Sequence, residues 1–198
     1  MPNPISCQPS TRLGRYIIGG GSGVMTAGLA ANAPIFSFRW ASAAALACVR
    51  RIRISAGGIT AFTAGRVIFA GILARSFSVS DTGGTSVVPS AGQNLRRTGM
   101  ASSVLTDARA ATTGALVVGT RTLDAVGFSA IIVSTPATAG TIIVPSADLL
   151  RPPESAEDYP LVLTANEGFV IQATVPAGGT WAFAVDVEWD EVTAYPEV

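Results

Sequence analysis

The feature that most constrains the fold is an alternation of large apolar residues with small or acidic ones near the C-terminus. In TWAFAVDVEWDEV, residues 180–192, every second position from Trp181 to Trp189 is large and apolar, and the positions between them are alanine or acidic. A period of two places successive side chains on opposite faces of an extended chain. The stretch therefore predicts a β-strand with one buried face, which a second apolar surface must cover.

The preceding segment predicts a β-hairpin with this strand. GFVIQATV, residues 168–175, is rich in β-branched and aromatic residues, and PAGG, residues 176–179, links it to the alternating strand. A four-residue connection with two glycines is typical of a turn between antiparallel neighbours. We therefore expect the two strands to pair.

Further short strands are predicted along most of the chain. Apolar alternation or β-branched runs occur in residues 35–40, 46–54, 66–79, 115–134 and 140–144. In residues 46–54 we expect Cys48 and Ile52 on one face, and Val49 and Arg51 on the other. A short helix at residues 102–111, capped by Ser102, is a local alternative. The number of strands and the turns between them predict a mainly β protein, an antiparallel β-sandwich or jelly-roll-like domain.

Domain organisation follows from the breaks in this pattern. Pro2, Pro4, Pro9 and the glycines of residues 19–23 interrupt regular structure, so residues 1–34 are expected to form an extended, irregular N-terminal arm. Residues 35–198 are expected to form the β-sandwich domain, with a candidate subdivision near residues 81–100. Residues 151–160 read as a proline-rich, acidic surface loop.

Charge is scarce and segregated. Only 13% of residues are charged, against about 25% in typical soluble domains, and the net charge is zero. All 13 basic residues are arginine, and eight of them precede Asp81, the first acidic residue. Either the two halves pair within one molecule, or the basic part docks on an acidic neighbour. The candidate partner contacts are Arg12, Arg15, Arg50, Arg51 and Arg53.

The composition also predicts self-association. Hydrophobic residues make up 48% of the chain, so a monomer is expected to expose apolar area, and large exposed apolar patches mark interfaces. We expect a homo-oligomer, for which a trimer is one form, or a subunit of a larger assembly. Specific nucleic-acid binding is disfavoured, because the arginines lack interleaved lysines and aromatic residues.

The glycine cluster does not predict a nucleotide site. Gly19 and Gly21 fit G-x-G-x-x-G, but Val24 occupies the third glycine position, and no acidic residue before Asp81 is available for a ribose. A phosphate-binding loop is excluded because no lysine is present. We therefore expect no cofactor.

Catalytic and metal-binding chemistry have little support. The chain has no histidine, the commonest general base and metal ligand. Asp186, Glu188, Asp190 and Glu191 are interpreted as the solvated face of a strand, with a Ca²⁺ site as the alternative. A carboxylate-pair glycosidase needs only such residues, but no pair is singled out. We expect no enzyme activity and no metal, and we interpret Cys7 and Cys48 as free thiols.

A membrane segment is also not expected. Residues 16–38 carry no charge and are long enough to span a bilayer. The stretch nevertheless contains five glycines together with Asn32 and Pro34, and few large aliphatic residues.

Two stretches resemble proteins encoded in tailed-bacteriophage structural gene clusters. They are SFSVSDTGGTSVVPSAGQNLRRTGM with LVVGTRTLDA, and YPLVLTANEGFVIQATVPAGGTWAFAVDVEWDEV. The resemblance is to virion structural proteins of the capsid-decoration (cement) or head-associated type, and it carries no catalytic signature. It implies a virion component, made in the bacterial cytoplasm, whose partners are its own copies and the major capsid protein or other virion proteins. A tail-fibre or receptor-binding module is the alternative, and a cell-wall glycosidase is a third hypothesis.

Overall fold

A computed structural model of the chain describes residues 12–26, 28–97, 99–151 and 160–195. These residues form strands without a helix. In chain order the strands are β1 (Arg12–Gly21), β2 (Met25–Thr26), β3 (Ala33–Trp40), β4 (Leu46–Thr60), β5 (Gly65–Val79), β6 (Thr85–Ser86), β7 (Asp107–Ala110), β8 (Thr120–Leu123), β9 (Ser129–Thr135), β10 (Ile142–Leu150), β11 (Leu161–Leu163), β12 (Glu167–Thr174) and β13 (Thr180–Val192).

The strands form two antiparallel sheets that pack against each other, which confirms the predicted β-sandwich. Sheet A has the order β1-β13-β4-β10, with β2 also paired to β13 and β11 to β4. Sheet B has the order β6-β7-β3-β12-β5-β8, with β9 also paired to β5. No helix long and apolar enough to cross a membrane occurs in the part of the chain that the structure describes.

The core lies between the sheets and is built around the alternating strand. The five large residues from Trp181 to Trp189 are at most 4% exposed, as the alternation predicted. Opposite them lie the aromatic residues of sheet B. The Phe38 ring stacks on Phe169 at a centroid distance of 5.2 Å and meets Trp189 edge-on at 5.4 Å. Such aromatic pairs add stability beyond the area that they bury.

The predicted hairpin between β12 and β13 is wrong. β12 pairs with β3 and β5 in sheet B, whereas β13 pairs with β1 and β4 in sheet A. The connection with Gly178 and Gly179, both at positive φ, therefore crosses from one sheet to the other. Each strand carries large apolar residues that fill opposite walls of the core, and local spacing does not distinguish this arrangement from a hairpin.

A β-bulge in β4 changes the predicted faces of that strand. Trp189 is opposite Val49 and Glu188 is opposite Arg51, so Arg50 is an extra residue on β4. An inserted residue shifts the alternation by one position. Val49 therefore joins the inner face, Cys48 lies outside the main core, and the prediction that Cys48 shares a face with Ile52 is wrong.

The expected irregular arm is wrong for residues 12–21, which form β1; residues 1–11 lie outside the described residues. Tyr16 and Ile18 are buried, and the Tyr16 ring lies 5.6 Å from that of Trp189. The glycines are compatible with this edge strand because a loop packs close to it. A Cβ atom at Gly20 would lie 2.7 Å from Val87 Cγ1.

The helix expected at residues 102–111 is also absent. Asp107–Ala110 form β7, which pairs with β3, because Ala108 and Ala110 are buried at the sheet. Ser102, the predicted cap, instead accepts a hydrogen bond from the Gly92 amide at 2.9 Å. In the predicted loop after Asp81, Val87 and Leu95 pack against the core, and the backbone of Asn94 and Arg96 bonds to β1. Residues 152–159 of the predicted acidic loop lie outside the described residues.

Candidate functional site: the charged face of sheet A

All five arginines predicted as partner contacts lie on the outside of sheet A. Arginines of β1 and β4 meet carboxylates of β13 and β10 there, because these four strands are neighbours in the sheet. We call this surface the charged face. Its members are Arg12, Arg15, Arg50, Arg51, Arg53, Arg96, Asp148, Asp186, Glu188 and Asp190.

Asp190 is the centre of the charged face. It lies on β13, between β1 and β4, and its side chain is completely buried. Its carboxylate accepts hydrogen bonds from Arg12 Nη2 at 2.6 Å and from Arg15 Nε and Nη2 at 2.8 and 3.1 Å. Arg50 Nη1, on the other side, lies 3.4 Å away. One carboxylate thus connects three strands.

Burial and ion pairing act in opposite directions on Asp190. Burial alone would raise the pKa of its carboxyl group, but the hydrogen bonds from Arg15 and Arg12 outweigh it and hold the pKa below its usual value. Asp190 is therefore ionised in the folded protein at neutral pH. Its charge is matched by guanidinium groups of the same chain.

More exposed ion pairs surround this centre. Arg51 binds Asp148 in a two-pronged contact with distances of 2.8 and 3.2 Å, which ties β4 to β10. Arg53 reaches Asp186 at 3.1 Å. Glu188 lies 3.9 Å from Arg15 Nε and 3.7 Å from Arg96 Nη2, and these two longer contacts complete the network.

The charge segregation in the sequence therefore corresponds to pairing within one molecule, one of the two alternatives it left open. Arginines from the first part of the chain meet carboxylates from the last part across sheet A. Six guanidinium groups face four carboxylates, so an excess of two positive charges remains. A polar recess of about 130 Å³ opens between Arg51, Arg53, Arg96, Asp186 and Glu188. Contact of the five arginines with a partner remains a prediction.

The acidic run of β13 is only partly the solvated surface that was predicted. The Asp186 side chain is 46% exposed, as expected, but Asp190 and Glu191 are buried. Glu191 accepts hydrogen bonds from Ser103 Oγ at 2.6 Å and from the Val104 amide at 3.1 Å. The described residues contain no group of three or more acidic, cysteine or histidine residues placed to hold a metal ion.

The buried carboxyl of Glu191 affects an adjacent phenol. Burial raises the pKa of Glu191, and the hydrogen bonds that it accepts offset this only in part. Burial, followed by the negative charge of Glu191, raises the pKa of Tyr16 to about 12. The Tyr16 hydroxyl donates to the Ala101 carbonyl at 2.9 Å, which fixes this end of the core.

Sheet A also has an uncharged outer surface, at the opposite end of β13. A shallow groove of about 430 Å³ lies there, lined by small and apolar residues that include Gly57, Ile142, Pro145, Ala182 and Ala184. The sequence predicted exposed apolar area only through its scarcity of charge. It did not indicate where that area would lie.

A buried ion pair in sheet B was not predicted. Asp81 and Arg121 are at most 2% exposed in their side chains and form a direct ion pair. The Asp81 carboxylate also accepts the Gly119 amide at 2.9 Å, and the Arg121 guanidinium lies 5.2 Å above the Phe77 ring. The residues are 40 positions apart, so no local pattern in the sequence reveals the pair.

Comparison of the chain with protein-family models and with curated proteins found no match.

Proposed function

We propose that the protein is a structural subunit of a bacteriophage particle, a capsid-decoration or head-associated protein that stabilises the assembly by packing. The bacteriophage particle is inferred from the sequence resemblance, and the observation that supports packing is the division of the surface between paired charges and exposed apolar side chains. Among the described residues, ten arginines form ion pairs with carboxylates of the same chain. By contrast, seven valine and isoleucine residues in this part of the chain are more than half exposed.

This division favours packing over electrostatic capture. Charged groups that are already paired contribute less to the attraction of a partner, whereas exposed apolar side chains gain free energy when a neighbour covers them. The surface groove with Ala182, Ala184 and Gly57 also allows close approach, because its side chains are small. The proposed partners are further copies of the chain and the major capsid protein, in the virion.

Stabilisation then follows from mass action. A protein that binds only the assembled lattice shifts the equilibrium towards that lattice. Each contact can be weak, because subunits that are held together by several contacts act at a high effective concentration. The charged face contributes orientation, since its excess of positive charge favours an acidic surface over a basic one. Such a role requires no catalysis, and we propose none.

Quantitative mass spectrometry of purified particles tests the proposal. We expect many copies per particle, in a fixed ratio to the major capsid protein, and we expect particles that lack the protein to disassemble at a lower temperature. Deletion of residues 1–11 leaves β1 complete. It tests whether this part of the predicted arm is needed for incorporation into particles. Absence from particles would contradict the proposal. A few copies at the tail tip together with host-cell binding would favour the receptor-binding alternative.

A further inference from the structure

The edge strand β9 is a regular apolar strand without charged residues or proline. Its sequence is SAIIVST, and it lies within 23 consecutive uncharged residues, 125–147. It pairs with β5 over seven consecutive residues, from Gly65–Thr135 to Gly71–Ser129, without a register shift. No other strand among the described residues pairs with its second edge. Ile132, at its centre, is 59% exposed.

The two outer strands of sheet A, β10 and β1, have features that discourage pairing with a further strand. β10 contains Pro145 and three register shifts, and both features discourage pairing with another strand. β1 carries Arg12 and Arg15, and the backbone of Asn94 and Arg96 bonds along its outer edge. Unprotected, regular and apolar edge strands are templates for a further strand. β9 has no charged residue, no proline and no register shift, and its one near neighbour besides β5 among the described strands, β10, contacts it without pairing to it.

The sequence of β9 suits pairing with itself. In an antiparallel pair centred on Ile132, Ile132 faces its own copy and Ile131 faces Val133. Outside them, Ala130 faces Ser134, and Ser129 faces Thr135. Every opposed pair thus joins residues of similar size, only Ala130 and Ser134 differ in polarity, and no like charges meet. An interface of this kind, in which each copy offers the same patch, is what a two-fold axis requires.

We propose that β9 pairs antiparallel with β9 of a second copy about a two-fold axis at Ile132. The two copies of sheet B then join into one continuous sheet. The proposal names one self-contact of the assembly described under Proposed function, and it rests on that function only for its biological role. The pairing itself is a property of the isolated protein.

The size of the contact sets the expected affinity. A seven-residue strand is about 23 Å long. One strand pair of this length buries less than the roughly 1,200 Å² at the lower limit of stable complexes. We therefore expect a dimer that dissociates on dilution and becomes persistent only where many subunits are held together.

Sedimentation equilibrium of the full chain, from about 1 µM to about 1 mM, tests the pairing. We expect a monomer–dimer equilibrium that Ile132→Arg weakens by at least about tenfold, because two like charges would face each other at the axis. The matched control is Val126→Arg, which adds the same charge at an 81% exposed position outside β9. Circular dichroism checks that both variants keep the fold.

A crosslink tests the register independently. In a Cys7→Ser background, Ile132→Cys is expected to form an intermolecular disulfide under mild oxidation, because directly opposed Cβ atoms lie about 5 Å apart before adjustment. Val126→Cys should form far less.

A protein that stays monomeric at the highest concentration and forms no crosslink would overturn the inference, as would equal effects of the two arginine variants. A β9 dimer of a protein that is absent from particles would uphold the pairing while refuting the proposed function. If the protein is a particle component but stays monomeric in solution, the pairing is refuted and the proposed function is upheld.

Discussion

Replacing Asp190 with alanine is expected to reduce the free energy of unfolding by about 2–4 kcal/mol. Removal of one partner from a buried ion pair costs about 3–5 kcal/mol, because the other charge is left buried without compensation. Here the guanidinium groups left behind are partly hydrated, since the side chains of Arg12, Arg15 and Arg50 are 28%, 30% and 14% exposed. The expected cost is therefore moderated, and it corresponds to a fall in Tm of about 5–15 °C for a chain of this length.

Urea unfolding followed by tryptophan fluorescence measures this cost, since Trp189 is next to the substituted position. The matched control is Asp186→Ala on the same strand. Asp186 is 46% exposed and pairs with Arg53, which is itself 35% exposed, so its loss should cost no more than about 1 kcal/mol. Equal costs for the two variants would refute the argument that Asp190 holds three strands together.

The same comparison has a defined pH dependence. The folded-state pKa of Asp190 is lower than its unfolded value, so the stability that it contributes is complete above the unfolded value of about 4 and is lost as the pH falls through the folded pKa. The difference between the wild type and Asp190→Ala should therefore be constant from about pH 5 to pH 8 and shrink below about pH 4. A difference that persists at lower pH would show that the carboxylate charge is not its source.

Three further predictions follow from the structure. Arg121→Ala leaves Asp81 buried without its guanidinium partner, so we expect a loss of about 3–5 kcal/mol in urea unfolding, and a loss below about 1 kcal/mol would contradict the burial argument. Gly168→Ala places a Cβ against a backbone oxygen of the paired strand and should cost at least about 2 kcal/mol, whereas Gly114→Ala, with nothing within 4 Å, should stay within about 0.5 kcal/mol. Ultraviolet absorbance titration should show a phenol with a pKa of about 12, and this step should be missing in Tyr16→Phe. The free energy of unfolding of the wild type should fall as the pH rises from about 10 towards that value. If Tyr16→Phe instead removes a titration step near pH 10, the prediction is contradicted.

The sequence was most informative where the core imposes strict periodicity. The alternation from Trp181 to Trp189 predicted one strand and its buried face correctly, because each of these side chains had to reach the same apolar layer. Periodicity failed where the backbone departs from it. The extra residue at Arg50 reverses the faces of β4 before it, and a bulge has no signature in composition.

Local sequence patterns indicated neither which sheet a strand joins nor which charged residues are buried. β12 and β13 are adjacent in the chain, yet lie in different sheets, because the tertiary packing and not the connection decides their partners. The charged face was foreseen only as five separate arginines and a segregated charge. Burial of Asp190 depends on strands more than 130 residues away in sequence, so no spacing within β13 indicated it.

The position of β13 has a consequence for how the protein is made. This strand is the final one along the described chain, yet it lies in the middle of sheet A, between β1 and β4. During translation, β1 and β4 cannot complete their pairing in sheet A until residues 180–192 have left the ribosome, because β13 pairs with both of them. Chains that stop short would keep two open edges, an arrangement prone to aggregation. Only a chain translated through β13 can close the gap between β1 and β4 and complete sheet A.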